Sequence, residues 1–561
     1  MNLIALSIIT LNYFGDDSQM PMLRTSSEAF PASKKVLSDI PYVLRVEFRD
    51  LARDVTKIVG KPIACHKCNG FLISIDQIKE DSKVGKHFQC PFCGTLNVIE
   101  GEIVFAGNES DFIVSPAPDK AETTTDAIPM GGQSFLALID VSGSMAGVNL
   151  SAVKRSLTTS IESLVANAPS TMFGLIEFES TVIFRNLQTG EAIVLPHESY
   201  ASLESVIEST RKLLDKFQLV HIGNNAERVK GFVKSLRDMG GTALGPAVAM
   251  AYVVAKHRNV GRIVVLTDGL ANEGIGALEG YQVTPASKYY EIVGSMFREL
   301  GTAVDVVGIA SGAGMELKTL GLMPEATNGQ MYYVTPNELD RSLSGLAGAS
   351  LLGRDVEVRL ITPEGVKLKD ASGVSRAVVE ALKKSSESKI GVVGDEHELY
   401  FEIEPESEID REEVPIQVQV AYTDETGARR LRSVTTKLKV AKKEKEILDT
   451  LDPTVGATFV TQKAGEESFR GDRASGKKRI ATFRSALKRR EKKAPSKVRK
   501  ALDKVEEALE REEGEIERQK KMLEEAPAAA PSGAADEAFT ESLAQMRRSS
   551  KEIFEDDEEE E

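Results

Sequence analysis

Two stretches of the chain carry residue types at spacings that could hold a metal ion. The first is Cys65-x2-Cys68 with Cys90-x2-Cys93, the only four cysteines, with 21 residues between the pairs. Two such knuckles bring four thiolates to the corners of a tetrahedron, the geometry of a structural Zn²⁺ site. The interval lies just beyond the usual ribbon spacing of about 15 to 20 residues, and a longer connecting hairpin absorbs the excess. Gly70 and Gly94 follow the second cysteine of each pair, where the tight turn calls for positive φ. His66 and His87 could stand in for a ligand, but four thiolates already fill the tetrahedron. A pair of redox dithiols is the alternative. A closed zinc site braces a small fold and leaves no position open for catalysis.

The second stretch is LALIDVSGSMAG, residues 136–147, in which an apolar run ends at Asp140 and Ser142 and Ser144 follow at two-residue intervals. Asp, Ser and Gly are ordinary turn residues. The same residues are also hard oxygen donors of the kind that suit Mg²⁺, with Mn²⁺ or Ca²⁺ as alternatives. Two later segments supply matching groups: DMGGTALGPA presents Thr242, and RIVVLTDGL ends in Asp268. Serines at a strand-to-helix turn also raise the question of a hydrolase. The nucleophile elbow needs Gly-x-Ser-x-Gly, and Asp140 occupies the first glycine position. The six histidines (His66, His87, His197, His221, His257 and His397) fall outside the segments expected at the strand ends beside Ser142. No GxxxxGK[ST] phosphate loop is present. The expectation is a protein that is not an enzyme.

The elements that must position these donors are legible from 132 to 350. Apolar strands (SFLALIDVS, MFGLIEFES, RIVVLTDGL, AVDVVGIAS, MYYV) alternate with amphipathic helices, the pattern of an α/β doubly wound parallel sheet. Ligands bind such sheets at the carboxyl ends of the strands, and Asp140 and Asp268 both stand there. The rest of the chain divides into an N-terminal segment, 1–39, expected to be flexible, a lead-in, 40–62, and the zinc ribbon, 63–98. After the α/β domain comes a β-sandwich, 351–441, read from alternating segments such as ELYFEIEP and PIQVQVAYTDETGARR. A helical domain with coiled-coil character, 442–526, and a disordered acidic tail, 527–561, complete the chain. Lys477 to Lys504 is rich in Lys and Arg, and Pro495 divides it as the tip of a helical hairpin. That stretch either meets phosphate or an anionic membrane, or is neutralised where Lys477, Lys478 and Arg479 lie near the acidic run Glu506 to Glu513.

Composition narrows the classes further. The 561 residues carry a formal net charge of −15, which argues against nucleic acid as the partner of the whole protein. No apolar run reaches the roughly 18 residues needed to span a bilayer. The opening MNLIALSIITLNYF lacks the basic start and cleavage site of a secretory signal. Four clustered cysteines fit a reducing cytoplasm, so a cytoplasmic protein, peripheral at most to a membrane surface, is expected.

DVSGS, GGT and TDG, in this order, resemble the metal-ion-dependent adhesion site of von Willebrand factor A domains. The resemblance implies that Ser142, Ser144 and Thr242 touch the metal, that Asp140 and Asp268 act directly or through water, and that an acidic residue of a protein partner fills the open position. The order of zinc ribbon, A domain, β-sandwich and helical region resembles the inner-coat subunits of COPII vesicles, without their gelsolin-like domain. Residues 188–238 are comparable to that family's insertion in the A domain. This resemblance implies a non-enzymatic trafficking scaffold, with a small GTPase or membrane cargo among its partners. The alternatives are an A-domain accessory subunit of a MoxR-like AAA+ ATPase and, third, a nucleic-acid-associated ribbon protein.

Overall fold

In a computed structural model of the chain, the segment from 132 to 343 forms an eight-stranded mixed sheet with helices on both faces. The structure describes residues 22–525 except 37–38, 54, 101–103, 116–133, 270, 279–282, 310–316, 338, 341–342, 344–350, 396, 425, 470–471 and 492–495. The spine of the sheet is parallel, in the order Met172–Phe178, Ser134–Asp140, Arg262–Thr267, Ala303–Ile309, Met331–Val334. Val182–Arg185 and Ala192–Val194 extend one edge antiparallel. Every residue of Ser134–Asp140 and Arg262–Thr267 is buried. Strands covered on both faces read as continuous apolar runs rather than as alternation. Leu136 and Leu138 enter one core layer, and Ala137 and Ile139 the other. The pairing of Leu266 with Ile139 sets the ends of these two strands side by side. Residues 188–238 supply the Ala192–Val194 strand and two helices, Leu203–Arg211 and Ile222–Ser235. The helix expected after Val334 lies largely outside the described residues.

The β-sandwich draws on more of the chain than 351–441. A seven-stranded sheet packs on a four-stranded one, with Val358, Leu360 and Val418 meeting Leu44, Val46, Phe401 and Ile403. Leu23–Thr25, Ala29–Pro31, Tyr42–Glu47, Lys57–Val59 and Glu109–Ser115 are all strands of these sheets. Residues 22–31, expected in a flexible segment, are therefore part of the fold, with Met22 and Phe30 buried; residues 1–21 lie outside the described ones. Three-residue strands are too short to show a two-residue period, which is why the sequence did not reveal them. The helix Arg376–Ser385, capped where the Ser375 hydroxyl accepts from Val378 N, and the strand Glu387–Gly394 were likewise not anticipated.

The helical region holds a short helix, Glu444–Leu448, and three longer ones, Pro453–Phe469, Arg473–Arg490 and Ser496–Glu525, the last two lying side by side as a hairpin. Phe459, Ile480, Phe483, Leu502 and Val505 cover Val43 and Tyr400 on the outer face of the four-stranded sheet. Arg484 faces Glu513 at 3.4 Å and Lys488 faces Glu506 at 2.7 Å, so basic and acidic helices do neutralise each other. Arg479, however, turns to Glu467 on the preceding helix, and Arg490 sits between Asp39 and Glu444. The tail at 527–561 lies outside the described residues.

Candidate metal centres

The four cysteine sulfurs lie within 4.8 Å of one another. Cys65 Sγ to Cys93 Sγ and Cys68 Sγ to Cys90 Sγ are each 3.5 Å. A tetrahedron with Zn–S bonds of about 2.3 Å has edges of about 3.8 Å, so the cluster has the size of a zinc site. Both knuckles fold alike: Asn69 N donates to Cys65 O, and Gly94 N donates to Cys90 O, each at 2.9 Å. Gly94 has the expected positive φ of 69°, but in the first knuckle Asn69, at φ 59°, takes that conformation instead of Gly70. Gly70 is needed for space, because a Cβ there would lie 2.5 Å from the Phe92 ring. His66 Nδ1 is engaged by Asn97 Oδ1 at 2.7 Å and His87 Nδ1 by Gly85 O, and the cluster of metal-ligating groups is made of the four sulfurs alone. Burial pushes the Cys68 and Cys90 thiols up, Cys90 to about 11. Burial acts on Cys93 the same way, but its hydrogen bonds with Thr95, Cys65 and Cys68 together outweigh it and bring that thiol to about 6.

The ribbon docks on the β-sandwich. Phe71 N donates to Gln417 Oε1 at 2.8 Å, and Gln419 Nε2 donates to Asn69 O at 2.8 Å. Gln419 Nε2 also reaches Gln417 Oε1, and Gln417 Nε2 donates to Thr435 Oγ1. This chain of buried amides fixes the first knuckle to the sheet.

On the α/β domain, four of the expected oxygen donors, Asp140, Ser142, Ser144 and Asp268, are linked at one edge. Asp140, fully buried at its strand end, accepts from Ser142 N at 2.8 Å and from Thr267 Oγ1 at 2.5 Å. Ser144 Oγ donates to Asp268 Oδ1 at 2.7 Å and lies 3.0 Å from Ser142 Oγ. Asn149, at the start of the following helix, donates to Asp268 Oδ2 at 2.7 Å. The loop before Thr242 is held against the first turn by Met239 N to Val141 O, 2.8 Å, and Gly143 N to Gly240 O, 3.1 Å. Asn272 then brackets Thr242, its Oδ1 accepting from Thr242 N and its N donating to Thr242 O. Ser142, Ser144, Asp140 and Asp268 are thus joined by hydrogen bonds, and the Thr242 loop is bound to the same turn.

Burial pushes Asp140 up to about 6, against hydrogen bonds from Ser142 and Thr267, with Asp268 adding to the rise. Burial raises Asp268 as well. Two buried carboxylates among neutral hydroxyls and amides have the chemistry of a hard-cation site, and the donor set suits Mg²⁺. Three contributors were not read from the sequence as parts of the site: Thr267, Asn149 and Asn272. Thr267 lay within the quoted TDG, but nothing in spacing alone shows that its hydroxyl turns back to Asp140. One histidine comes closer than expected: His197 Nε2 lies 3.6 Å from Glu273 Oε2, at this same edge. It faces Glu273 and packs against the Tyr200 ring, not against the serine hydroxyls. The nearest approach to a phosphate loop, GDRASGKK at 471–478, ends in Lys478 where Ser or Thr is required, and Gly476 and Lys477 lie inside a helix.

Residues 132–343 match the Sec23/Sec24 trunk domain family. Along its length the chain is similar to circularly permutated Ras protein 1 of Dictyostelium discoideum, 26% identical over 76% of this chain and 53% of that protein. It is also similar to protein transport protein SEC24 C of Arabidopsis thaliana, 23% identical over 54% of this chain and 30% of that protein. The chain thus spans about half or less of the length of these relatives. The crystal structure of the human COPII-coat protein Sec24c superposes with a TM-score of 0.68 at 15% identity, covering 95% of this chain and 76% of Sec24c. Ribbon, α/β domain, sandwich and helical cluster therefore share one arrangement with that structure.

Proposed function

We propose that this chain is a non-enzymatic adaptor of a COPII-like coat, braced by Zn²⁺ in its ribbon and able to grip protein partners through a cation on its trunk domain. What supports this reading most is the fold shared with Sec24c over 95% of the chain, across every described domain. The trunk-domain match and the protein-transport relative point the same way. The chain works in the cytoplasm, peripheral to a membrane. Among the described residues no helix is long and apolar enough to cross one. Its partners are proteins, with a small GTPase and membrane cargo as the classes this role requires.

Cys65, Cys68, Cys90 and Cys93 hold the zinc. The hydroxyls of Ser142, Ser144 and Thr242 face the Mg²⁺, with Asp140 and Asp268 binding directly or through water. When bound, that ion supplies a positive pole for a partner's carboxylate. Asn149, Asn272 and Thr267 keep the donors aimed, through the bonds described above. Few charged ligands around a cation leave it attractive to an incoming anion.

The test is a parallel affinity purification with wild-type and Asp140→Ala chains, read by mass spectrometry, in metal-free buffer supplemented with Mg²⁺ so that no chelator strips the zinc. Membrane-transport proteins on both baits support the adaptor role and place that contact outside the cation site. Transport proteins lost only from the variant assign the grip to the site. An AAA+ ATPase or nucleic-acid machinery, with no transport proteins, overturns the proposal.

A further inference from the structure

We infer that the cation site selects a partner segment presenting one carboxylate between large apolar side chains, read by a collar formed by Val148 and Met239. The inference rests on the reading of Asp140, Ser142, Ser144, Thr242 and Asp268 as cation ligands, and goes on to specify what they bind. Four large apolar side chains of the trunk are exposed among the described residues: Val148, Val194, Met239 and Ile292. The two most exposed are Val148, at 69%, which opens the helix after Ser144, and Met239, at 63%, which lies in the loop before Thr242. Singly scattered apolar side chains need no partner. Both, however, adjoin one polar centre: Met239 by its backbone bond to Val141, and Val148 as the neighbour of Asn149, which bonds Asp268.

Their positions are fixed by the site itself. Met239 N is bonded to Val141 O, between Asp140 and Ser142. Val148 opens the helix Val148–Asn167, and its neighbour Asn149 holds Asp268. A segment bringing a carboxylate to the centre comes close to both residues. Covering them with apolar groups removes their surface from water, and methionine adapts its shape to varied partners.

The loop between Met239 and Thr242 adds a second constraint. A Cβ on Gly240 would lie 2.1 Å from Glu179 Oε2, and one on Gly241 would lie 2.4 Å from Glu273 Oε1. Both carboxylates are thus pressed against the glycine pair, with the Ser180 hydroxyl bonded to Glu273. They charge that flank negatively, so a second acid on the partner is repelled there and a base is accepted.

The experiment uses full-length chain and an array of labelled nonapeptides with a central Glu and flanking Leu, Ser, Lys or Glu, read by fluorescence anisotropy in Mg²⁺. Wild-type chain is expected to bind Leu-flanked peptides roughly tenfold more tightly than Ser-flanked ones, and Glu-flanked ones most weakly. In the double variant Val148→Ser/Met239→Ser the Leu preference is lost, while Mg²⁺ affinity by calorimetry is unchanged. Glu273→Gln is expected to relax discrimination against the Glu-flanked peptide. A double variant that keeps the Leu preference, or an array with no Mg²⁺-dependent binder, overturns the inference and leaves the cation site standing. Unchanged Mg²⁺ affinity in Asp140→Ala removes the underlying cation reading instead.

Discussion

Ionising a carboxylate with no exposed surface costs free energy, and Asp140 carries that cost at the end of a central strand. Burial sets its folded pKa at about 6, above the usual carboxylate value of about 3.9 in an unfolded chain. The folded state therefore binds the proton more tightly. That contribution is complete below about pH 4 and is lost as pH rises through 6, so at neutral pH the ionised, cation-free site costs about 3 kcal/mol. Asp140→Asn is expected to raise the unfolding midpoint of the trunk domain in cation-free neutral buffer, with the advantage fading toward pH 4. Mg²⁺ should stabilise the wild type and leave this variant unmoved. Asp140→Ala should abolish Mg²⁺ binding with the fold intact, read by calorimetry alongside circular dichroism. Because protons and cation compete for one carboxylate, Mg²⁺ affinity should fall as pH is lowered through 6. An Asn variant less stable than wild type at neutral pH would show that Asp140 is a structural residue and not a cation ligand.

At the scale of elements, the oxygen donors depend on one close approach. The helix Leu244–Arg258 starts two residues after Thr242, and a Cβ on Gly245 would lie 1.8 Å from Ile275 O. Gly245→Ala must push the helix or the 271–278 loop aside, and Asn272 in that loop brackets Thr242. We expect a lower trunk unfolding midpoint and Mg²⁺ affinity weakened roughly tenfold. Gly231→Ala, on a helix with open space at that position, should leave both intact or gain about 0.5–1 kcal/mol. The ribbon has its own such contact in Gln417, which is fully buried. Gln417→Leu leaves Phe71 N without an acceptor and should cost about 1–3 kcal/mol. Hydrogen exchange should rise across residues 63–98, while zinc content by mass spectrometry stays at one ion per chain. Loss of zinc in that variant would mean that docking, not the knuckles, shapes the cluster. These elements also show where sequence was informative. Asp140 and Asp268 were legible because a carboxylate closing a fully buried strand breaks the apolar pattern. Asn149 and Asn272 were not, because they act through hydrogen bonds across loops, which spacing does not encode. Gly70 was read correctly as necessary and wrongly as to reason, since a phenylalanine ring, not a turn, excludes its side chain.

Across the whole molecule, the β-sandwich is assembled from segments far apart in sequence. Ala29–Pro31 pairs in parallel with Lys439–Ala441. Phe30 packs edge-on against Tyr42, ring centroids 4.8 Å apart, and Tyr42 Oη donates to Ser27 O. Ser27 Oγ in turn donates to Ile447 O at 3.1 Å, at the start of the helical region. Asp39 joins Arg490 on that region's second long helix. Residues 22–36, 39 and 40 therefore lie between the sandwich and the helices, and an expectation of flexibility there missed a joint. Removing a buried phenylalanine ring costs about 3–5 kcal/mol where the surroundings cannot collapse. The ring's neighbours are sheet residues fixed by their own ladders, so the cavity of Phe30→Ala should persist. The expected result is faster hydrogen exchange in Arg429–Ala441 and Glu444–Leu448 as well as in 22–36. The trunk lies on separate cores and should keep its Mg²⁺ affinity. If exchange rises only in 22–36, the segment is an attached strand and not a shared support of both domains. If Mg²⁺ binding weakens too, strain passes from sandwich to trunk, and His397, whose Nε2 meets Asn328 O at 2.6 Å across that boundary, is the contact to vary next.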